Sequence, residues 1–103
     1  MNRPFFALVL VTAMLASFSA KASPELAQQK NCMACHAVGQ KLAGPAFKDV
    51  SGRYANENAA SEMLAEKIRK GGVGTWGAIP MPPNPQVNAE EAKRLAQWIL
   101  SLK

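Results

Sequence analysis

The chain has 103 residues, a formal net charge of +5, 49% hydrophobic side chains, two cysteines and one histidine. That length fits one small domain and leaves no room for a second. The excess charge contains no basic run longer than Arg69-Lys70 or Lys93-Arg94 and does not interleave with aromatics, which argues against a nucleic-acid surface.

The N-terminal segment reads as an export signal. Met1-Asn2-Arg3 precedes an apolar run from Phe5 to Phe18 that is broken only by Thr12 and Ser17, and Ala20-Lys21-Ala22 matches the small-residue cleavage pattern. The run is shorter than the ~20 apolar residues a membrane-spanning helix needs. The expected division is a cleaved signal peptide at 1–22 and a single domain at 23–103, with no membrane span after processing. Removing Arg3 and Lys21 leaves ten basic residues against seven acidic ones, a net charge of +3. A mild positive charge of this kind suits brief, salt-sensitive docking on an acidic protein surface.

Ser23-Pro24-Glu25 has the makings of a helix start: a serine cap, proline at the first helical position and an acid in the first turn. The helix is expected to run through Leu26 and Lys30 into Cys32-Met33-Ala34-Cys35-His36. The Cys-x-x-Cys-His spacing is the attachment signature for c-type haem. Two thiols three positions apart on one turn can each form a thioether to the porphyrin, and the next residue, His36, then falls beneath the ring as an iron ligand. A thioredoxin-like dithiol would need a βαβ setting, and no strand pattern is present. A zinc site needs four ligands, and the chain has three cysteine and histidine residues in all.

After His36 the pattern dissolves into a loop containing Gly39 and Gly44-Pro45. Pro45 to Tyr54 is expected as a short helix with Phe47 and Val50 on one side. A clearer helix spans Ala59 to Lys70, where Ala60, Leu64 and Ile68 form an apolar stripe. Lys67, Arg69 and Lys70 complement the dipole in its last turn, and Gly71-Gly72 stops it. The final helix begins at Asn88 as cap, with Glu91 placed for a capping box and Ala92, Leu95, Ala96 and Ile99 on its inner face, widened by Trp98. No alternating strand run appears, so the class is all-α, with short helices and long loops.

The segment from Gly71 to Asn88 carries four prolines and no helix signal. Loops of that length in a small domain are usually functional. Gly72-Val73-Gly74-Thr75-Trp76-Gly77 matches G-x-G-x-x-G letter for letter, but a helix precedes it and Pro80, Pro82 and Pro83 forbid one after it, so it is no dinucleotide fingerprint. The same segment offers a second axial ligand. With one histidine in the chain, bis-histidine ligation within one molecule is excluded. Met1 and Met14 lie in the signal segment, Met33 lies inside the attachment motif, and Met63 lies on a helix face as core filler. Met81 remains, braced in Ile79-Pro80-Met81-Pro82-Pro83-Asn84. Histidine–methionine ligation raises the potential and closes the iron to substrates, which favours electron transfer over catalysis.

Three stretches together resemble a known family: Cys32 to His36 with Gly44-Pro45 behind it, Trp76 to Asn84, and Leu95-Ala96-Gln97-Trp98-Ile99-Leu100. From Glu25 to Leu102 the chain is similar to the small bacterial class I cytochromes c of the short periplasmic type. The resemblance implies an all-α cytochrome c fold of short helices and long loops wrapped around one covalent haem c. It implies that the Pro45 carbonyl accepts a hydrogen bond from His36, and that Asn84 approaches the Met81 sulfur. It also implies that Lys67 and Trp76 reach a buried haem propionate. Lys67 stands where relatives often carry arginine, and lysine is a point charge without the planar fork.

The resulting expectation is a periplasmic, monomeric one-electron carrier rather than an enzyme. Its donor would be a quinol-oxidising cytochrome complex, and its acceptor a nitrite reductase or terminal oxidase. The haem edge would sit near lysines such as Lys30, Lys41 and Lys48, each of which reads individually as ordinary solvated surface. An enzymatic haem domain would want a distal acid–base group such as a second histidine. A sensor or fused electron-entry module would want a partner domain.

Overall fold

The computed structural model describes residues 24–103; the signal segment, its cleavage site and the Ser23 cap lie outside the described residues. In chain order come α1 (Pro24–Gln29), a single 3-10 turn (Cys32–Ala34), α2 (Phe47–Arg53), α3 (Ala60–Lys70) and α4 (Ala89–Ser101). Among the described residues there is no strand, only one isolated antiparallel bridge between Gly72 and Met81. The all-α class is correct.

α4 is the hub, because α3, α2 and α1 all pack on it. Its inner stripe of Ala92, Leu95, Ala96 and Ile99 is buried, together with Trp98. Opposite lie Ala60, Leu64 and Ile68 of α3, Phe47 and Val50 of α2, and Leu26 and Ala27 of α1. Met63 packs at the margin of this core. Each large apolar side chain buried here contributes about 1.5–3 kcal/mol. The exposed Glu66–Lys70 pair on α3, at 2.7 Å, is screened by solvent and adds little, so packing decides the helix arrangement.

α1 ends earlier than the sequence pattern suggests. It stops at Gln29, and Asn31 adopts a left-handed conformation with φ 64°. Asparagine tolerates that region well, and the reversal separates the Cys32 turn from the helix before it. α2 starts at Phe47 rather than Pro45, because Ala46 is extended.

The start of α4 is a full capping box. Asn88 Oδ1 accepts from the Glu91 amide at 2.8 Å, and Glu91 Oε1 accepts from the Asn88 amide at 3.1 Å. The other carboxylate oxygen of Glu91 meets Lys30 Nζ at 3.0 Å. Lys30 also donates to the Gln86 carbonyl at 3.1 Å. Lys30 therefore ties α1 to α4 instead of standing in a free rim of docking lysines, whereas Lys41 and Lys48 are exposed. At the far end of α4, the buried Ser51 hydroxyl lies 3.1 Å from the Leu100 carbonyl and 2.6 Å from that of Leu102, closing the C-terminus against α2. No helix among the described residues is long and apolar enough to cross a membrane.

The backbone hydrogen bond from Asn88 and the Lys30 ammonium hold the Glu91 carboxyl below its usual range. A carboxylate with a depressed folded pKa binds fewer protons than in the unfolded chain, so its contribution is complete above the ordinary value of about 4.3. It is lost as pH falls through the folded value. We expect Glu91→Gln to be less stable than the parent at pH 7 and to show a flatter acid limb when urea unfolding is followed from neutral pH downward. Parallel acid limbs would remove Glu91 from the account.

Candidate functional site

One cleft runs between the Cys32 turn and the 72–84 segment, with room of about 220 Å³. Its floor is the apolar core: Phe47 and Val50 of α2, Leu64 and Ile68 of α3, and Leu95 and Ile99 of α4. The fold brings every candidate thioether, iron-ligand and haem-contact residue named above into its lining, but not the lysines Lys30, Lys41 and Lys48. Cys32, Cys35, His36 and Pro45 line one part, and Lys67, Trp76, Met81 and Asn84 line another.

The first wall is built around His36. The residue following Cys35 leaves the 3-10 turn, and its imidazole stacks on Phe47 with centroids 4.7 Å apart and planes 19° apart. Phe47 in turn meets Trp98 edge-on at 5.4 Å, so the imidazole is braced through α2 onto α4. His36 Nδ1 lies 2.8 Å from the Pro45 carbonyl. A carbonyl can only accept, so Nδ1 carries a proton, and in the neutral imidazole Nε2 then keeps its lone pair, the tautomer of a metal-binding imidazole. The Gly44 backbone closes the third side. A Cβ there would sit 2.7 Å from Nδ1 and 2.9 Å from Nε2, so no other residue fits without displacing the ring.

Cys32 is half-buried, Cys35 is exposed, and neither is in a disulfide. Burial pushes the Cys32 thiol above its ordinary pKa, against a smaller opposing effect from a backbone hydrogen bond. Reactive thiols have lowered pKa values, so Cys32 lacks the electrostatics of a thioredoxin-like nucleophile.

The opposite wall is fixed by Gly71. It ends α3 with φ 74° and ψ −173°, a region reserved for glycine. A Cβ at that position would fall 2.8 Å from Pro83 N and 2.9 Å from the Pro82 carbonyl carbon, and would also strike the Met81 carbonyl. The chain then pairs with itself: the Gly72 amide donates to the Met81 carbonyl at 3.0 Å, and the Met81 amide donates to the Gly72 carbonyl at 2.8 Å. This pairing, with prolines on both sides, sets the half-buried Met81 against the core. Asn84 completes the anchor by satisfying the last carbonyls of α3. Its amide donates to Arg69 O at 3.1 Å, and its side-chain Nδ2 donates to Ile68 O at 2.8 Å and to Pro82 O at 3.3 Å. In this structure the Asn84 side chain spends its donors on backbone carbonyls and not on the Met81 sulfur.

Lys67 Nζ donates to Thr75 Oγ1 at 3.1 Å. Trp76 lies at the mouth, 39% exposed, beside Val73 and Ile79, each 67% exposed. Large apolar side chains collected around an opening are costly in water unless something flat and apolar covers them. The cleft therefore suits a porphyrin by its own chemistry. It offers an apolar floor and rim, and its lining holds two thiols, an imidazole and a thioether. Two contributors were not evident from sequence. Arg53 caps the indole of Trp76, with its guanidinium carbon 4.8 Å from the ring centroid, and Phe47 supports His36. Nothing local in the sequence links Arg53 to Trp76.

A family model described as Cytochrome c matches residues 20–103. Cytochrome c-552 of Nitrosomonas europaea is 49% identical over 92 residues, covering 89% of this chain and 89% of that protein. Cytochrome c-552 of Hydrogenobacter thermophilus is 55% identical over 82 residues, covering 80% and 83% respectively. The crystal structure of wild-type Nitrosomonas europaea cytochrome c552 superposes with a TM-score of 0.77 at 51% identity, over 79% of this chain and 100% of that one.

The Gly71 contact generates a test with an internal control. We expect Gly71→Ala to lower the unfolding free energy by about 1–3 kcal/mol through strain alone, with the collision against Met81–Pro83 added. Gly72→Ala, where an added Cβ meets nothing within 4 Å, should be much milder. Urea unfolding of the two variants decides it, and equal losses would contradict the close-approach argument.

Proposed function

The chain belongs to the cytochrome c family, which carries one covalently bound haem c, and from that premise we propose that it is an exported one-electron carrier of the histidine–methionine type. When bound, the haem supplies a one-electron iron couple. The chain's own residues do the rest. Cys32 and Cys35 would supply the two thioether sulfurs, and His36 Nε2 would be one iron ligand, with its ring held by the Pro45 carbonyl. Met81, on the segment paired to Gly72, would be the other. Lys67 and Trp76 lie on the same lining and would offer a cation and an indole N–H to the haem carboxylates.

The observation that carries the reading is that a thiol pair, one imidazole and one thioether line a single apolar cleft, with no second histidine in the chain to act as a distal acid–base group. Two protein ligands held by close-packed backbone would leave the iron no open position in either redox state. Little rearrangement then accompanies each electron, as a carrier requires, and a catalytic haem would need the opposite. Thioether ligation favours the reduced form and raises the potential. In the account proposed here, residues 1–22 direct export to the periplasm and are removed. The mature monomer then docks briefly on acidic faces of a quinol-oxidising cytochrome complex and of a nitrite reductase or terminal oxidase. Redox encounters of this kind bury little area, and their steering weakens with salt.

The reading is tested at both walls. We expect Met81→Ala to keep its haem covalently attached, to bind carbon monoxide when reduced and to fall in potential. Absorption spectroscopy and a redox titration check this, and wild-type spectrum and potential in that variant would remove Met81 as the ligand. Cys35→Ala should lose most covalent haem, judged by mass spectrometry of the matured protein. Full loading there would refute the two-thioether attachment.

A further inference from the structure

We propose that Arg53 is a positioning residue of the cleft. With Lys67 it clamps Thr75 and so fixes Trp76 at the mouth. The segment 72–77 has little holding it to the helical body. Its internal hydrogen bond runs from the Gly74 amide to the Gly77 carbonyl at 3.1 Å, and Gly74 and Gly77 both take positive φ, at 96° and 121°. Its glycines supply no packing, and Val73 is largely exposed.

Two cations from two different helices grip its centre. Arg53, at the end of α2, donates from Nη1 to the Thr75 carbonyl at 2.9 Å. Lys67, in the last turns of α3, donates to the Thr75 hydroxyl at 3.1 Å. The two groups thus hold the main chain and the side chain of one residue. The Arg53 guanidinium also lies over the Trp76 ring, 4.8 Å from guanidinium carbon to centroid, while sitting 5.8 Å from the Tyr54 ring. Tyr54 is buried in the core and Trp76 lines the cleft, so the guanidinium links a fixed aromatic to a rim aromatic. A planar fork can donate along its edge while stacking on its face, and an ammonium lacks that pre-organised geometry.

Arg53 itself is not part of the cleft lining and acts through Thr75 and Trp76. Releasing the clamp would let the rim open and admit water along the cleft edge. Water raises the local polarity and stabilises the more highly charged oxidised iron, so the potential should fall. That second consequence rests on the carrier reading given above. The first, local opening of 72–77, does not.

The experiment is amide hydrogen exchange by NMR on the matured, reduced holoprotein and on Arg53→Leu and Arg53→Lys, together with a redox titration of each. In Arg53→Leu we expect the Gly74 amide to exchange about tenfold faster or more, the scale set by losing a charged hydrogen bond and a cation–π contact. The Leu95 amide within α4 should keep its wild-type protection, showing that the whole fold has not loosened. The potential should drop in both variants, because lysine keeps the charge but not the planar fork that stacks and donates at once. Unchanged Gly74 exchange in Arg53→Leu would overturn the proposal, as would equal acceleration at Gly74 and Leu95. A potential that falls in Arg53→Leu but is fully retained in Arg53→Lys would reduce Arg53 to a long-range charge and overturn its positioning role. Should the wild type itself bind carbon monoxide freely, the carrier reading fails while the exchange result still decides the clamp.

Discussion

The imidazole of His36 is held by a single run of backbone, Gly44 to Phe47, and the rest of the molecule is arranged to keep that run in place. Gly44 covers the ring where a side chain could not, the Pro45 carbonyl takes its Nδ1 proton at 2.8 Å, and Phe47 stacks on it. Proline at 45 and extended Ala46 delay the start of α2 to Phe47, which puts the stacking residue at the head of a helix and not in a loop. From there the support passes to Trp98 and the buried face of α4. The Met81 side follows the same rule. There too a glycine, Gly71, permits backbone to pass where any Cβ would collide, and a short antiparallel pairing fixes the residue opposite. Both candidate axial ligands are thus positioned by main chain, which is stiffer than a side-chain network and less sensitive to surface substitution.

Several charges in this molecule work as fastening. Glu91 caps α4 with one carboxylate oxygen and receives Lys30 with the other, so a single acid joins α1 to α4 and locks the loop before it. Lys67 and Arg53 close on Thr75 from opposite helices. Val73 and Ile79 form an exposed apolar rim, and lysines such as Lys41 and Lys48 stand exposed on the surface.

Much of this could be read from the sequence, for physical reasons that differ by element. α3 and α4 carry apolar stripes at helical spacing, and the Asn88–Glu91 box is a local pattern, so periodicity and capping rules found them within a residue or so. The Cys-x-x-Cys-His turn is legible because its chemistry imposes a fixed spacing. The early end of α1 was hidden, since asparagine is tolerated both in helices and in the left-handed conformation that Asn31 adopts. Gly71 was visible as a helix stop, but its close approach to Met81–Pro83 was not, because that contact exists only once the loop returns. Arg53 lay beyond reach altogether. Its partners stand 22 residues away, and nothing in its neighbourhood distinguishes it from a solvated cation.

The central claim is that His36 and Met81 close the iron from both sides. The most direct measurement is the absorption spectrum of the matured wild-type protein, oxidised and then reduced under carbon monoxide. A far-red methionine–iron band in the oxidised form and a reduced spectrum unmoved by carbon monoxide are what the account requires. Absence of that band with rapid carbon monoxide binding would mean that Met81 does not hold the iron, and the closed carrier would have to be abandoned.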